Sequence, residues 1–316
     1  MINFKTNILL KDYSHYRIGG PARFFFEVSD IKDIKEVFKT FKKLFSENKD
    51  LKIFILGGGT NVLFSDEGFN GLVLKINFDF INLIDDYLIE AGAGVLMNNL
   101  VNYSQERSLS GLEWAAGLPG TLGGAIRGNA GAFGKEIKGS VYEVLSLEIK
   151  NPDNFVIRKN KDCEFNYRSS IFKTNDNEII LKAALSFTSA DKELMKKEIE
   201  KNFSYRLEKQ PLEYPNAGSV FKNVAIEKVP LDQRKLFAEV IKTDPFPVIP
   251  AAYLIHKAGL KGVCQGGAMI SDKHSNFIVN IDNASSNDVI YLINLVKSEV
   301  LKQFDIKLEE EIQILS

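Results

Sequence analysis

Apolar residues recur at helical spacing in three long stretches of the chain. Between 31 and 45 they are Ile31, Ile34, Val37, Phe38, Phe41, Leu44 and Phe45, with lysines on the opposite face and Asp30 where an N-cap belongs. Between 192 and 207, Leu194, Met195, Ile199, Phe203 and Leu207 mark one side of a charged helix that reads as a connector between domains. The third stretch, 286–304, repeats Val289, Ile290, Leu292, Ile293, Val296, Val300 and Leu301 along one long helix. A further helix is predicted over 96–107, and a short one over 251–258 stopped by Gly259 at the C′ position. Strand-like runs fall at 24–28, 52–56, 71–76, 87–91, 141–149, 155–158, 179–187 and 277–280, with Asn-Pro-Asp-Asn at 151–154 as the turn between two of them. The chain closes on KLEEEIQIL, 307–315, acidic first and then alternating, and no internal repeat runs through it.

One stretch fits neither period. Residues 111–134, GLEWAAGLPGTLGGAIRGNAGAFG, hold eight of the 23 glycines, the single tryptophan, Trp114, and two charges, Glu113 and Arg127. A linker would be rich in Ser, Lys or Glu, whereas this run is apolar between its glycines. It reads as a buried loop around a ligand, its backbone N–H groups facing phosphate or another anionic group. The strand at 52–56 runs into a second such turn, Gly57-Gly58-Gly59-Thr60-Asn61. A Rossmann fingerprint is excluded there, because Val62 stands in place of the third glycine and loop follows instead of helix. A Walker A site at Gly134-Lys135 is excluded as well: Asn129 holds the place of its first glycine, and Glu136 follows the lysine.

Composition narrows the classes. At 316 residues the chain has room for two or three domains. With 45% hydrophobic and 26% charged residues and a net charge of -1, it is an ordinary soluble composition without the basic field that nucleic-acid binding needs. Residues 1–12 carry no signal pattern and no apolar run is long enough to span a bilayer, so a cytoplasmic protein without a membrane partner is expected. Cys163 and Cys264 lie far apart, and His15, His256 and His274 are scattered, so neither a disulfide framework nor a metal site is indicated.

Three polar residues are candidates for chemistry. Arg168, in NYRSS, offers a fork for a carboxylate, against the common alternative of a surface ion pair. Ser219, in NAGSVFKN, follows Ala-Gly, where its hydroxyl either points into a cavity or caps a turn. Glu311 is one of three adjacent glutamates, otherwise a solvated charge run.

Eight segments, in order, resemble those of the UDP-N-acetylenolpyruvoylglucosamine reductases, flavoenzymes that make UDP-N-acetylmuramate for peptidoglycan. They are YRIGGPA (16–22), LGGGTNVL (56–63), the 111–134 run, YRSSIFK (167–173), KQPLEYPNAGSVFKN (209–223), AGLKG (258–262), SDKHSNFIVN (271–280) and LEEEI (308–312), which together cover nearly the whole chain. The resemblance implies an α+β fold, with a vanillyl-alcohol-oxidase-type FAD-binding region of two subdomains at 1–70 and 71–205. A substrate-binding α+β domain at 206–304 and a C-terminal strand at 305–316 carrying the catalytic Glu would follow. It also implies the shorter, flap-less form, since a strand and a helix fill the residues between Arg168 and Arg206.

The implied chemistry uses non-covalent FAD, NADPH as co-substrate and a UDP-sugar substrate. NADPH reduces FAD; hydride then passes from flavin N5 to the vinyl C3 of the enolpyruvyl sugar nucleotide, leaving carbanion character at C2. By match of position, Arg168 would stabilise that charge through the substrate carboxylate, Glu311 would assist it protonated or hydrogen-bonded, and Ser219 would protonate C2. The FAD site would be lined by Gly57, Gly58, Gly59, Thr60 and Asn61, and from the glycine-rich run by Gly117, Gly120, Thr121, Gly123, Gly124, Gly128, Asn129, Ala130 and Gly131. Arg17, Gly19 and Gly20 would close it. Tyr167 would pack beside the substrate, while Arg206, Lys209, Lys222 and Asn223 would contact its phosphates or carboxylate. A monomer is expected. Two departures stand out: His15, where the family more often has threonine, is read as structural, and the Pro-rich segment 224–250 is longer than in compact members. The alternatives are an FAD-dependent oxidase of small hydroxy acids and a UDP-sugar-binding module without catalysis.

Overall fold

The computed structural model describes residues 2–47, 51–243 and 246–315; side chains of 44–47 are outside the description, and with them the predicted core positions Leu44 and Phe45. Contacts group the chain into two compact units. Unit 1 comprises Met1–Ile8, Ala22–Gly58 and Asn70–Arg206; unit 2 comprises Leu9–Pro21, Gly59–Phe69 and Leu207–Ser316.

Unit 1 contains two sheets of more than two strands among the described residues. The first has four strands in the order Ile8–Leu9, Pro21–Val28, Phe69–Ile76, Lys52–Leu56, the last two parallel. Helix α1, Ile31–Glu47, buries Ile34, Val37, Phe38 and Phe41, the stripe its spacing predicts. The second sheet is antiparallel, in the order Phe155–Lys159, Val141–Glu148, Glu178–Ser186, Leu88–Gly92, Ile81–Asp85. Its middle strand, Glu178–Ser186, is buried along most of its length and so lacks a polar face. Helices α2 (Met97–Glu106), α3 (Leu122–Gly128), α4 (Ile171–Thr174) and α5 (Lys192–Lys209) complete the unit's set, and Trp114 is buried in its core.

The glycine-rich run is not one loop. It contains α3, whose Leu122, Ala125 and Ile126 are buried at helical spacing. Thr121 caps the start by accepting from Gly124 N (3.5 Å), and Asn129 ends it in the left-handed conformation (φ 43°). Three glycines in seven residues cost about 1 kcal/mol each against alanine; burying Leu122 and Ile126 returns roughly 1.5–3 kcal/mol apiece.

The buried face of α5 also differs from its apolar pattern. Leu194, Phe203 and Leu207 are exposed, while Met195, Asn202 and Arg206 are buried. Residues 195, 199, 202 and 206 follow the helical period, but two of them are polar, so a reading based on hydrophobicity misses the stripe.

Unit 2 is built on a three-stranded antiparallel sheet of Cys264–Gln265, Ala268–Ile270 and Ile278–Asn280 with helices α6 (Ala251–Lys257) and α7 (Ser286–Phe304). A capping box between Ser285 and Asp288 starts α7, and Val289, Leu292, Ile293, Val296 and Val300 are buried along it. Gln313–Leu315 pairs in parallel with Val62–Phe64, which draws 59–69 into the same unit as the C-terminus. In the 224–250 segment, Val224–Ala225 pairs with Val248–Ile249, and Phe237 is buried with its ring centroid 6.3 Å from Tyr253 and 6.0 Å from Phe304. Among the described residues no helix is long and apolar enough to cross a membrane.

Candidate active site

In unit 1 the three-glycine turn and the glycine-rich run abut. A Cβ on Gly57 would lie 2.7 Å from Thr121 Oγ1, and one on Gly58 would lie 2.9 Å from Gly120 Cα. Two stretches 60 residues apart thus close on each other where only hydrogen fits.

Segment 166–170 is fastened to the same run. Asn129 Nδ2 donates to Asn166 O (2.9 Å), Arg168 Nη2 to Gly131 O (3.0 Å) and Ser170 Oγ to Arg127 O (2.8 Å). Asn166 and Ser169 exchange both backbone hydrogen bonds, which places Tyr167 and Arg168 at the tip of a two-residue turn. Arg168 takes the left-handed position there (φ 51°), with its guanidinium carbon 5.1 Å from the Tyr167 ring centroid. The candidate arginine and tyrosine are therefore positioned by the glycine-rich run.

In unit 2, the backbone of Glu311 lies against the residue that follows Ser219. Glu311 N donates to Val220 O (2.7 Å), Lys222 N donates to Glu309 O (2.9 Å), and Phe221 bridges Glu310. Asn276 braces the other side: its O accepts from Val220 N (2.8 Å), its Oδ1 from Phe221 N (3.0 Å), and its Nδ2 donates to Phe221 O (2.8 Å). Ser219 follows Gly218 (φ 77°), whose N–H is held by Asn216 Oδ1 at 2.9 Å.

The glutamate run divides by partner. Glu309 faces Lys228 (2.5 Å) and Lys222 (3.4 Å), which hold its carboxyl below the usual carboxylate range, the Lys228 hydrogen bond foremost. Glu310 pairs with Lys297 at 2.8 Å, and Glu311 is half-buried. The turn 59–61 joins this assembly: Asn61 Nδ2 donates to Glu311 O (3.2 Å) and Asn61 O accepts from Gln313 N (3.0 Å). His15 N holds Gly59 O at 3.0 Å, a structural role for His15 through its backbone. Gly59 has φ 66°, and a Cβ there would lie 1.9 Å from Tyr13 O.

Other expected contacts are placed differently. Gly19 and Gly20 are buried; a Cβ on Gly20 would lie 2.0 Å from Asp66 O, so these glycines allow close backbone packing instead of lining a cavity. Asn129 is fully buried, with both side-chain ends engaged, Lys138 N donating to its Oδ1 at 3.3 Å. Arg17 is exposed in the left-handed conformation (φ 55°). Arg206 is 5% exposed and donates to the carbonyls of Ala116 (2.9 Å) and Trp114 (3.2 Å), so its guanidinium is committed to the glycine-rich run instead of facing solvent. Lys209 is exposed, 2.5 Å from Glu208, and Asn223 Oδ1 accepts from Ala251 N (3.1 Å) at the start of α6. The bracing residues Asn166 and Asn276 carry no periodic signal, and only their places in the NYRSS and SDKHSNFIVN segments could have drawn attention to them.

The run suits a flat, anionic cofactor. Gly124 and Gly128 share one face of α3; a Cβ on Gly128 would meet nothing within 4 Å, and one on Gly124 only Thr121 Oγ1 at 3.6 Å. That face is bare of side chains and open, whereas Gly123 packs against Ala93, where a Cβ would come within 3.0 Å.

Comparison with known proteins bears on this arrangement. Residues 22–158 match the profile described as FAD binding domain, and residues 210–315 match that of UDP-N-acetylenolpyruvoylglucosamine reductase, C-terminal domain. The chain is 37% identical to the UDP-N-acetylenolpyruvoylglucosamine reductase of Carboxydothermus hydrogenoformans over 97% of this chain and 92% of that one. It is 35% identical to the one of Halalkalibacterium halodurans over 98% and 94%. The crystal structure of the Thermus caldophilus enzyme superposes over 100% of both chains with a TM-score of 0.77 at 27% identity. This chain belongs to the UDP-N-acetylenolpyruvoylglucosamine reductase family, FAD-dependent oxidoreductases of α+β fold.

Proposed function

We propose that the chain catalyses NADPH-dependent reduction of enolpyruvyl UDP-N-acetylglucosamine to UDP-N-acetylmuramate, holding FAD non-covalently. The observation that supports this reading is the backbone hydrogen bond from Glu311 to Val220 at 2.7 Å, which brings the segment of Glu311 against the segment that carries Ser219. The 57–61 and 111–134 backbone would hold FAD, which when bound would supply a two-electron hydride carrier between NADPH and the vinyl C3 of the substrate.

When C3 gains hydride, the electron pair of the vinyl bond moves to C2 and into the carboxylate. Arg168 meets that charge with a fixed cation, its orientation set by Gly131 O and its backbone by the two-residue turn. Glu311 hydrogen-bonds the carboxylate and shares the load. Ser219 Oγ–H gives its proton to C2, completing the saturated lactyl ether, and is then resupplied from solvent. Lys222 and Asn223, which follow Ser219 in the same segment, are assigned to the nucleotide phosphates, as is Lys209; Tyr167 packs against the substrate. The protein acts as a monomer in cytoplasmic peptidoglycan precursor synthesis, and through it serves cell shape and division.

Stopped-flow absorbance of the two half-reactions tests the assignment. Ser219→Ala leaves flavin reduction by NADPH near the wild-type rate and slows reoxidation by the sugar nucleotide at least about a hundredfold, the usual size of a lost general acid. Equal slowing of both half-reactions removes Ser219 from the proton-donor role.

A further inference from the structure

The buried polar stripe of α5 has no place in the reaction as outlined. Asn202 Nδ2 donates to Glu113 O (3.1 Å), Arg206 Nη2 to Trp114 O (3.2 Å) and Arg206 Nε to Ala116 O (2.9 Å). Two side chains four residues apart thus satisfy three carbonyls within four residues of the glycine-rich run. The next residue, Gly117 (φ 72°), sits so close to the same helix that a Cβ would lie 2.7 Å from Phe203 Cδ2. From the far end of the run, Phe133 brings its ring centroid to 5.3 Å from the Arg206 guanidinium carbon and packs edge-on against Tyr205 at 5.4 Å. Both ends of the run are thereby seated on one face of α5.

Arg206 is buried without a carboxylate partner among the described residues, and burial pushes its pKa down to about 10. A cation so placed is costly unless its donors are used. Here they are used on the loop backbone.

We infer that Arg206 and Asn202 are positioning residues that clamp 113–117 to α5 and hold the glycine-rich run in its cofactor-binding form, so that Arg206 serves FAD binding and not substrate binding. This rests on the reading of the run as the FAD site. The cost of releasing the clamp appears as a smaller fraction of chains in the competent form, which raises the dissociation constant for FAD in proportion.

The test uses the full chain as wild type, Arg206→Met, Arg206→Lys and Asn202→Ala. Trp114 is the only tryptophan, so its quenching by acrylamide reports the clamp without flavin. Quenching rises in all three variants. In flavin titrations Arg206→Met, which loses two hydrogen bonds to the run, raises the FAD dissociation constant about tenfold, and Asn202→Ala, which loses one to the run, about threefold to fivefold. Arg206→Lys keeps the charge but loses the fork, and so fails to restore affinity. The dissociation constant for UDP stays at the wild-type value throughout. Unchanged Trp114 quenching overturns the inference, as does a lowered melting temperature with FAD affinity intact. Unchanged FAD affinity with weakened UDP binding makes Arg206 a substrate contact and overturns it too. If no chain, wild type included, binds FAD while Trp114 is released in the variants, the clamp stands and the flavoenzyme reading falls.

Discussion

Arg168 occupies a backbone conformation that suits glycine or asparagine, at φ 51° in a two-residue turn. A side chain there costs about 1 kcal/mol relative to glycine. Two substitutions separate the effects. Arg168→Ala and Arg168→Gly both lose the hydrogen bond to Gly131, yet the glycine variant, free of the Cβ strain, is more stable by about 1 kcal/mol in urea unfolding. Equal stability of the two would contradict a strained backbone at this site. Arg168, Ser219 and Glu311 stand out in the sequence as candidates because each lies in a segment that resembles a family motif. What is not legible is where the neighbouring Glu309 and Glu310 find partners: they pair with Lys228, Lys222 and Lys297, residues distant in sequence.

At the scale of elements, hydrophobic spacing finds α1, α7 and the central strands because their buried faces are mostly apolar. It fails where burial is polar. The α5 stripe of Met195, Asn202 and Arg206 faces carbonyls, and α3 lies hidden in a glycine-rich run whose helix is set by Leu122, Ile126 and its two caps. The five-stranded sheet shows the same blindness at Glu178, whose side chain is 3% exposed. Burial pushes its pKa up, but hydrogen bonds from Arg158 (2.5 and 3.0 Å) and Ser146 (2.5 Å) outweigh this and leave it below the usual 4.5. Since the folded-state pKa is depressed, the stabilisation is full above pH 4.5 and is lost as pH falls through the folded value. Arg158→Met leaves the carboxylate buried beside a single hydroxyl, and chemical denaturation at neutral pH should show a loss of about 3 kcal/mol. In the variant, unfolding free energy should also depend less on pH below 4.5 than in wild type. A parallel pH dependence would remove the pair from the stability of the sheet.

At the scale of the molecule, the grouping of 59–69 with 207–316 is the feature least accessible to sequence. It follows from the parallel pairing of Val62–Phe64 with Gln313–Leu315, about 250 residues apart, and no local signal marks such a pair. Its consequence is that the 59–61 turn, Ser219 and Glu311 share one frame, while Arg168 is fixed by the glycine-rich run in the other unit. The account requires these residues to act on one substrate through one cofactor. The most direct test is anaerobic absorbance of the flavin-loaded protein, bleached with one equivalent of NADPH and then given enolpyruvyl UDP-N-acetylglucosamine. The account predicts that the oxidised flavin spectrum returns as UDP-N-acetylmuramate forms in equal amount; flavin that stays reduced until oxygen is admitted would contradict it.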